Sequence, residues 1–90
     1  MGYVSHNELA AMLRMFIEAE LPYKLYRDTY LINVTDVDGI IQSYYASTGT
    51  AVFRDGNDRF KSHRHTEKNM SIERFISLCK GEEDILDFFN

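Results

Sequence analysis

The sequence predicts an α+β fold: an N-terminal helix, an antiparallel three- or four-stranded meander sheet, and one or two C-terminal helices packed on that sheet. Three observations carry the prediction. Apolar residues recur at helical spacing near both ends, the period falls to two from Thr29 onward, and Asp-Gly, Thr-Gly and Gly-Asn pairs punctuate the middle. Ninety residues fit one domain, 1–90, and hydrophobic and charged fractions of 44% and 27% are those of a chain that folds rather than of a disordered one.

In SHNELAAMLRMFIEAELP, Ser5 stands three residues before Glu8, the spacing at which hydroxyl and carboxylate can cap a first helical turn. Leu9, Met12, Leu13, Phe16 and Ile17 then form an apolar stripe, and Pro22 ends the helix because it lacks an amide hydrogen and restricts the residue before it. The β-branched and aromatic run that follows predicts strands at about 29–36, 40–47, 50–55 and 58–64. Their turns centre on Asp38-Gly39, Thr48-Gly49 and Gly56-Asn57, residues that tolerate positive φ. A second helix carries Ile72, Phe75, Ile76 and Cys79 on one face, with Ser71 or Asn69 as cap and Gly81 as stop. Glu82, Glu83 and Asp84 ahead of Ile85, Leu86, Phe88 and Phe89 suit a short third helix.

Two-residue turns would place Tyr30, Ile32, Val34, Ile41, Tyr45 and Val52 on one sheet face, continuing into Arg54, Arg59, Lys61 and His63. Leu31, Ile40, Tyr44, Ala46, Ala51, Phe53 and Phe60 would share the other. Helices should pack on one face, and a partner, a second copy or the C-terminal tail should cover part of the other.

The chemistry-bearing motifs are few. His63 and His65 would project from one strand face roughly 7 Å apart, but zinc takes three or four ligands and Lys61 and Arg64 repel a cation, so no metal site is expected. Cys79 continues an apolar helical stripe and reads as core. DVDG and DGND lack the spacing of a calcium loop and read as hairpin turns. Without a glycine-framed serine, a phosphate-cradling loop or a dinucleotide fingerprint, neither catalysis nor a cofactor is expected.

The strongest anomaly is FKSHRHTEKN. Residues 59–68 carry four basic side chains against Glu67, net +3, whereas the remainder carries six basic and thirteen acidic residues, net −7. Arg54, Arg59, Lys61, His63, Arg64 and Lys68 are therefore the candidate surface for nucleic acid or another anionic partner. Cations that keep an edge strand from pairing with other chains are the plainer reading. The helix, three-strand, helix order is similar in topology to that of double-stranded-RNA-binding domains, with basic residues just before the second helix. That family's Gly-rich loop and lysine-rich second-helix opening are missing, so no membership follows.

The first functional expectation is a non-catalytic interaction or accessory module that self-associates as a homodimer through Tyr30, Tyr45, Phe88 and Phe89, residue types enriched at interface centres. The second is RNA or single-stranded DNA binding through residues 54–68, with an acidic protein partner as a further alternative. pH sensing by His63 and His65 ranks third. One cysteine and no long apolar run place the expected setting in the cytoplasm, with no membrane partner.

Overall fold

The computed structural model describes residues 4–56 and 64–89. Ser5 opens helix α1 (His6–Glu18) in extended geometry, and its hydroxyl accepts the Glu8 amide at 3.1 Å. Leu9 and Phe16 are buried and Met12 and Leu13 pack against the same cluster, but Ile17 is 60% exposed, so the stripe that reaches the core is narrower than the apolar pattern. The helix closes with Glu20 at φ 59, where the Leu21 amide reaches back to the Phe16 carbonyl and the Glu20 amide to Ile17. These are the two bonds of a Schellman cap, made here without a glycine.

Five antiparallel strands follow in simple meander order: β1 (Tyr23–Tyr26), β2 (Leu31–Thr35), β3 (Ile41–Tyr45), β4 (Thr50–Arg54) and β5 (Arg64–Glu67). The three- or four-strand expectation is therefore corrected to five. The strand it omits is β1, whose Tyr-Lys-Leu-Tyr alternation stands directly after Pro22; the Pro22 carbonyl accepts the Thr35 amide, so proline sits at the strand entrance where its missing donor does no harm. A five-strand sheet also departs from the helix, three-strand, helix topology noted above. The final strand lies later than expected, and positions 58–63 of that expectation, with Phe60, fall outside the described residues.

The face assignment needs one further correction. Thr35 pairs with Ile41, the Asp36 amide donates to the Ile40 carbonyl, and the loop between them holds three residues, Val37 to Gly39, instead of two. Gly39 at φ 80 takes the left-handed position such a three-residue loop requires. The cause is Asp36, whose carboxylate accepts the amides of Asp38 and Ile40 at 2.9 Å each and the Gln42 side-chain amide at 3.1 Å. One additional loop residue reverses every side chain of β2 relative to β3. Ile32 and Val34 thus share a face with Tyr44, Ala51 and Phe53, while Leu31 joins Ile41, Tyr45 and Val52.

Helix α2 (Ile72–Cys79) begins at Ser71, whose hydroxyl accepts the Arg74 amide, and ends before Gly81. It drives Phe75 into the centre of the core, with ring centroids 6.1 Å from Phe16, 5.0 Å from Tyr44 and 5.6 Å from Phe53. The expected third helix is a 3-10 helix, Ile85–Phe89, which stacks Phe88 on Phe53 at 5.1 Å and on His65 at 4.6 Å. Both helices and the tail thereby close the same face of the sheet. Among the described residues, no helix is long and apolar enough to cross a membrane.

Candidate anion-binding face

Strand alternation sends the remaining side chains to the opposite face: Lys24 and Tyr26 from β1, Leu31, Asn33 and Thr35 from β2, and Ile41, Ser43 and Tyr45 from β3. Thr50, Val52 and Arg54 of β4 and Arg64 and Thr66 of β5 complete it. Among the described residues no helix lies on this side. The charged residues at its described strand positions are Lys24, Arg54 and Arg64, all cations, with no Asp or Glu among them. Among the described acidic residues, Glu8, Glu18, Glu20, Glu73, Glu82, Glu83, Asp84 and Asp87 belong to the helical layer, Asp28, Asp36, Asp38 and Asp55 to the loops at the ends of the strands, and Glu67 to the closed face of β5. The chain is acidic overall, yet the charged side chains at the described strand positions of this face are all positive.

The register gives this face an order. Tyr26, Leu31, Tyr45 and Thr50 lie in one row across four strands. Tyr26 and Tyr45 are two strands apart, a separation of about 10 Å, and the Lys24 ammonium stands 5.2 Å from the Tyr26 ring centroid. A second row joins the Thr35–Ile41 pair to the Arg54–Arg64 pair through the bond from Arg54 to the Ile41 carbonyl. Between the rows, Ser43 is 3% exposed; its hydroxyl donates to Asn33 Oδ1 at 2.7 Å and accepts from Arg54 Nη1 at 3.1 Å. Arg54 Nη1 also donates to the Ile41 carbonyl at 2.9 Å. A chain of side-chain bonds from β4 to β2 thus fixes the Nη1 end of one guanidinium. A shallow groove of about 190 Å³ runs beside it, lined by Pro22, Lys24, Tyr26, Asn33, Thr35 and Ile41 among others.

Arg54 and Arg64 are direct partners on adjacent strands. Like charges opposed in this way destabilise a sheet. Burial first, then the Arg64 charge, pull the Arg54 guanidinium below its ordinary pKa, with Tyr45 opposing. Among the described residues neither arginine forms an ion pair, whereas Arg74 and Lys80 on the helical side pair with Glu83 and Glu82.

The sequence candidates divide accordingly. Arg54 and Arg64 come together, Lys68 is exposed just past β5, and Arg59, Lys61 and His63 lie outside the described residues. Tyr45 occupies the open face; Tyr30, at φ 56 in the β1–β2 loop, packs toward the core, and Phe88 and Phe89 belong to the tail on the closed side. The four candidates for self-association do not form one patch. His65 faces the helical side, where Nε2 lies 2.8 Å from Glu67 Oε1 and the ring stacks on Phe88. Sequence reasoning missed Lys24, Tyr26, Asn33 and Ser43; the first two follow once Tyr-Lys-Leu-Tyr is recognised as a strand, the others only once the register is known.

A second cavity, of about 400 Å³, opens at the end of the sheet near Asp36, Asp38, Asp55, Glu83 and Asp84. Its inner wall is self-satisfied: the Gln42 side chain is fully buried, donates to Asp36 and the Arg54 carbonyl, and accepts the Arg54 amide at 2.7 Å, replacing a strand peptide where the β3–β4 ladder ends. Among the described residues no group of three His, Cys, Asp or Glu is placed to hold a metal ion. No protein-family model matches the chain, and no curated protein or solved structure matches it either.

Proposed function

We propose that the protein is a non-catalytic binding module whose open sheet face takes single-stranded nucleic acid. The observation that carries this reading is the sidedness of charge: three cations and no carboxylate on the described strand positions of a face that also presents Tyr26 and Tyr45. Cations along a groove attract phosphates, and tyrosine rings offer stacking surfaces to unpaired bases regardless of sequence. Lys68 extends the same charge beyond β5. A setting inside the cell, where such strands occur, accords with the single cysteine.

Self-association draws less support from the same geometry. Two copies meeting face to face through this surface would oppose cations to cations, and Phe88, expected at the interface, is stacked within the molecule. Charge on the edge strand β5 also discourages strand pairing between copies.

Fluorescence anisotropy of a short labelled oligothymidylate tests the reading. If Lys24, Arg54 and Arg64 each neutralise one phosphate, log affinity falls against log salt with a slope near −2, roughly 20-fold between about 50 and 200 mM salt. Absence of binding, or binding indifferent to salt, overturns it. Salt-sensitive binding of polyglutamate without binding of the oligonucleotide overturns it in favour of an acidic protein partner.

A further inference from the structure

The two arginines of the open face differ in a way that defines a subsite. Arg54 is half-buried and held by the Ile41 carbonyl and the Ser43 hydroxyl, so little side-chain freedom is lost when it meets a ligand. Arg64 is exposed and sits directly opposite it. Among the described strand positions of the face no carboxylate offsets their mutual repulsion, and an anion between them would. A guanidinium presents its donors in a planar fork that suits phosphate oxygens, and two such groups side by side suit a tetrahedral anion.

We propose that the Arg54–Arg64 pair is a phosphate subsite, occupied by a phosphodiester of a strand whose bases stack on Tyr45 and Tyr26. Tyr45 lies on β3 four residues from Ile41, the neighbour of Arg54 in the arginine row. A strand lying along β3 and β4 therefore meets a ring first and the paired cations next. Arg54 is the fixed member and Arg64 the adjustable one. The identity of the occupant rests on the nucleic-acid reading; the affinity of the pair for phosphate does not.

The test separates the two. In ¹⁵N-labelled protein, inorganic phosphate should shift the side-chain Nε–Hε signals of Arg54 and Arg64 more than chloride does at matched ionic strength, and Arg64→Gln should abolish the excess. Because Arg64 is exposed, this variant keeps the fold, as an unchanged amide spectrum away from β4 and β5 verifies. In oligothymidylate titrations the same variant should raise the salt slope from about −2 to about −1.4, one phosphate contact fewer. Equal shifts from phosphate and chloride overturn the subsite. Oligonucleotide binding with unchanged slope and affinity in Arg64→Gln overturns it while leaving the nucleic-acid reading intact. Phosphate binding without oligonucleotide binding supports the subsite and overturns that reading.

Discussion

The two faces of the sheet are built from the same five strands and obey opposite rules. On the closed face, Ile32, Val34, Tyr44, Ala51 and Phe53 are almost wholly buried and meet Phe75 and Phe16 from the helices. Among the described residues of the open face the most buried side chain is Ser43, a hydroxyl held by Asn33 and Arg54, and the charged strand positions are all cations. Alternation along each strand separates the residues that hold the fold from those available to a ligand. Substitutions should therefore sort by parity: one set moves stability, the other moves binding.

Removing one aromatic ring from each face gives the largest contrast. Phe75 is fully buried and touches rings from α1, β3 and β4, so Phe75→Ala should lose about 3–5 kcal/mol, most of what a domain this small has. Tyr26 is 39% exposed on an edge strand. Tyr26→Ala should shift stability by less than about 1 kcal/mol and weaken oligothymidylate binding by about 1–3 kcal/mol. Denaturant titration and anisotropy on the same two proteins measure both. A comparable stability loss in both variants would dissolve the distinction between the faces.

The closed face should also give the protein an alkaline limit. Burial, reinforced by the Asp36 charge, pushes the Cys79 thiol up to about 12 from an ordinary 9.0. The folded state holds this proton while the unfolded chain releases it, so the contribution is complete below about pH 9 and is lost as pH rises toward 12. The slope approaches about 1.4 kcal/mol per pH unit within that window. Tyr44 acts in the same direction above pH 10, its hydroxyl raised by burial and then by Glu73 while it donates to the Met70 carbonyl at 2.8 Å. Cys79→Ala should flatten the decline between pH 9 and 10 in chemical denaturation and lessen, without abolishing, the fall above it, where Tyr44 still titrates. An unchanged slope in that variant would show that the thiol is not the titrating group.

Much of this architecture is legible in the sequence because local signals agree with the tertiary result: Ser5 and Ser71 cap the two helices, and β2, β3 and β4 fall within the expected strands. What is not legible is register. Asp36 recruits three donors and so sets a loop of three residues, a choice that depends on Gln42 lying buried six positions later. The open face could not be composed correctly without it. Strand β1 is hidden for a different reason: four residues between a proline and a turn carry too little periodicity to stand out until a neighbouring strand pairs with them. The Arg54–Arg64 opposition likewise arises from pairing across residues 55–63, whereas hairpin rules placed Arg54 opposite Arg59.

The smallest expected effect lies where α1 hands over to β1. Glu20 adopts φ 59 to complete the helix cap, a conformation that L side chains take at a penalty and glycine takes freely. Glu20→Gly should stabilise the protein by about 0.5–1 kcal/mol, with no effect on the open-face ligand beyond the removal of one distant negative charge. Glu20→Ala removes the same charge and keeps the strained geometry, so it should show none of this gain. If both variants are stabilised equally, charge among the acidic residues of the helical layer is responsible. If only glycine stabilises, the closed side carries backbone strain that can be relieved without altering the face that binds, and the division of labour between the two sides extends to the turns that join them.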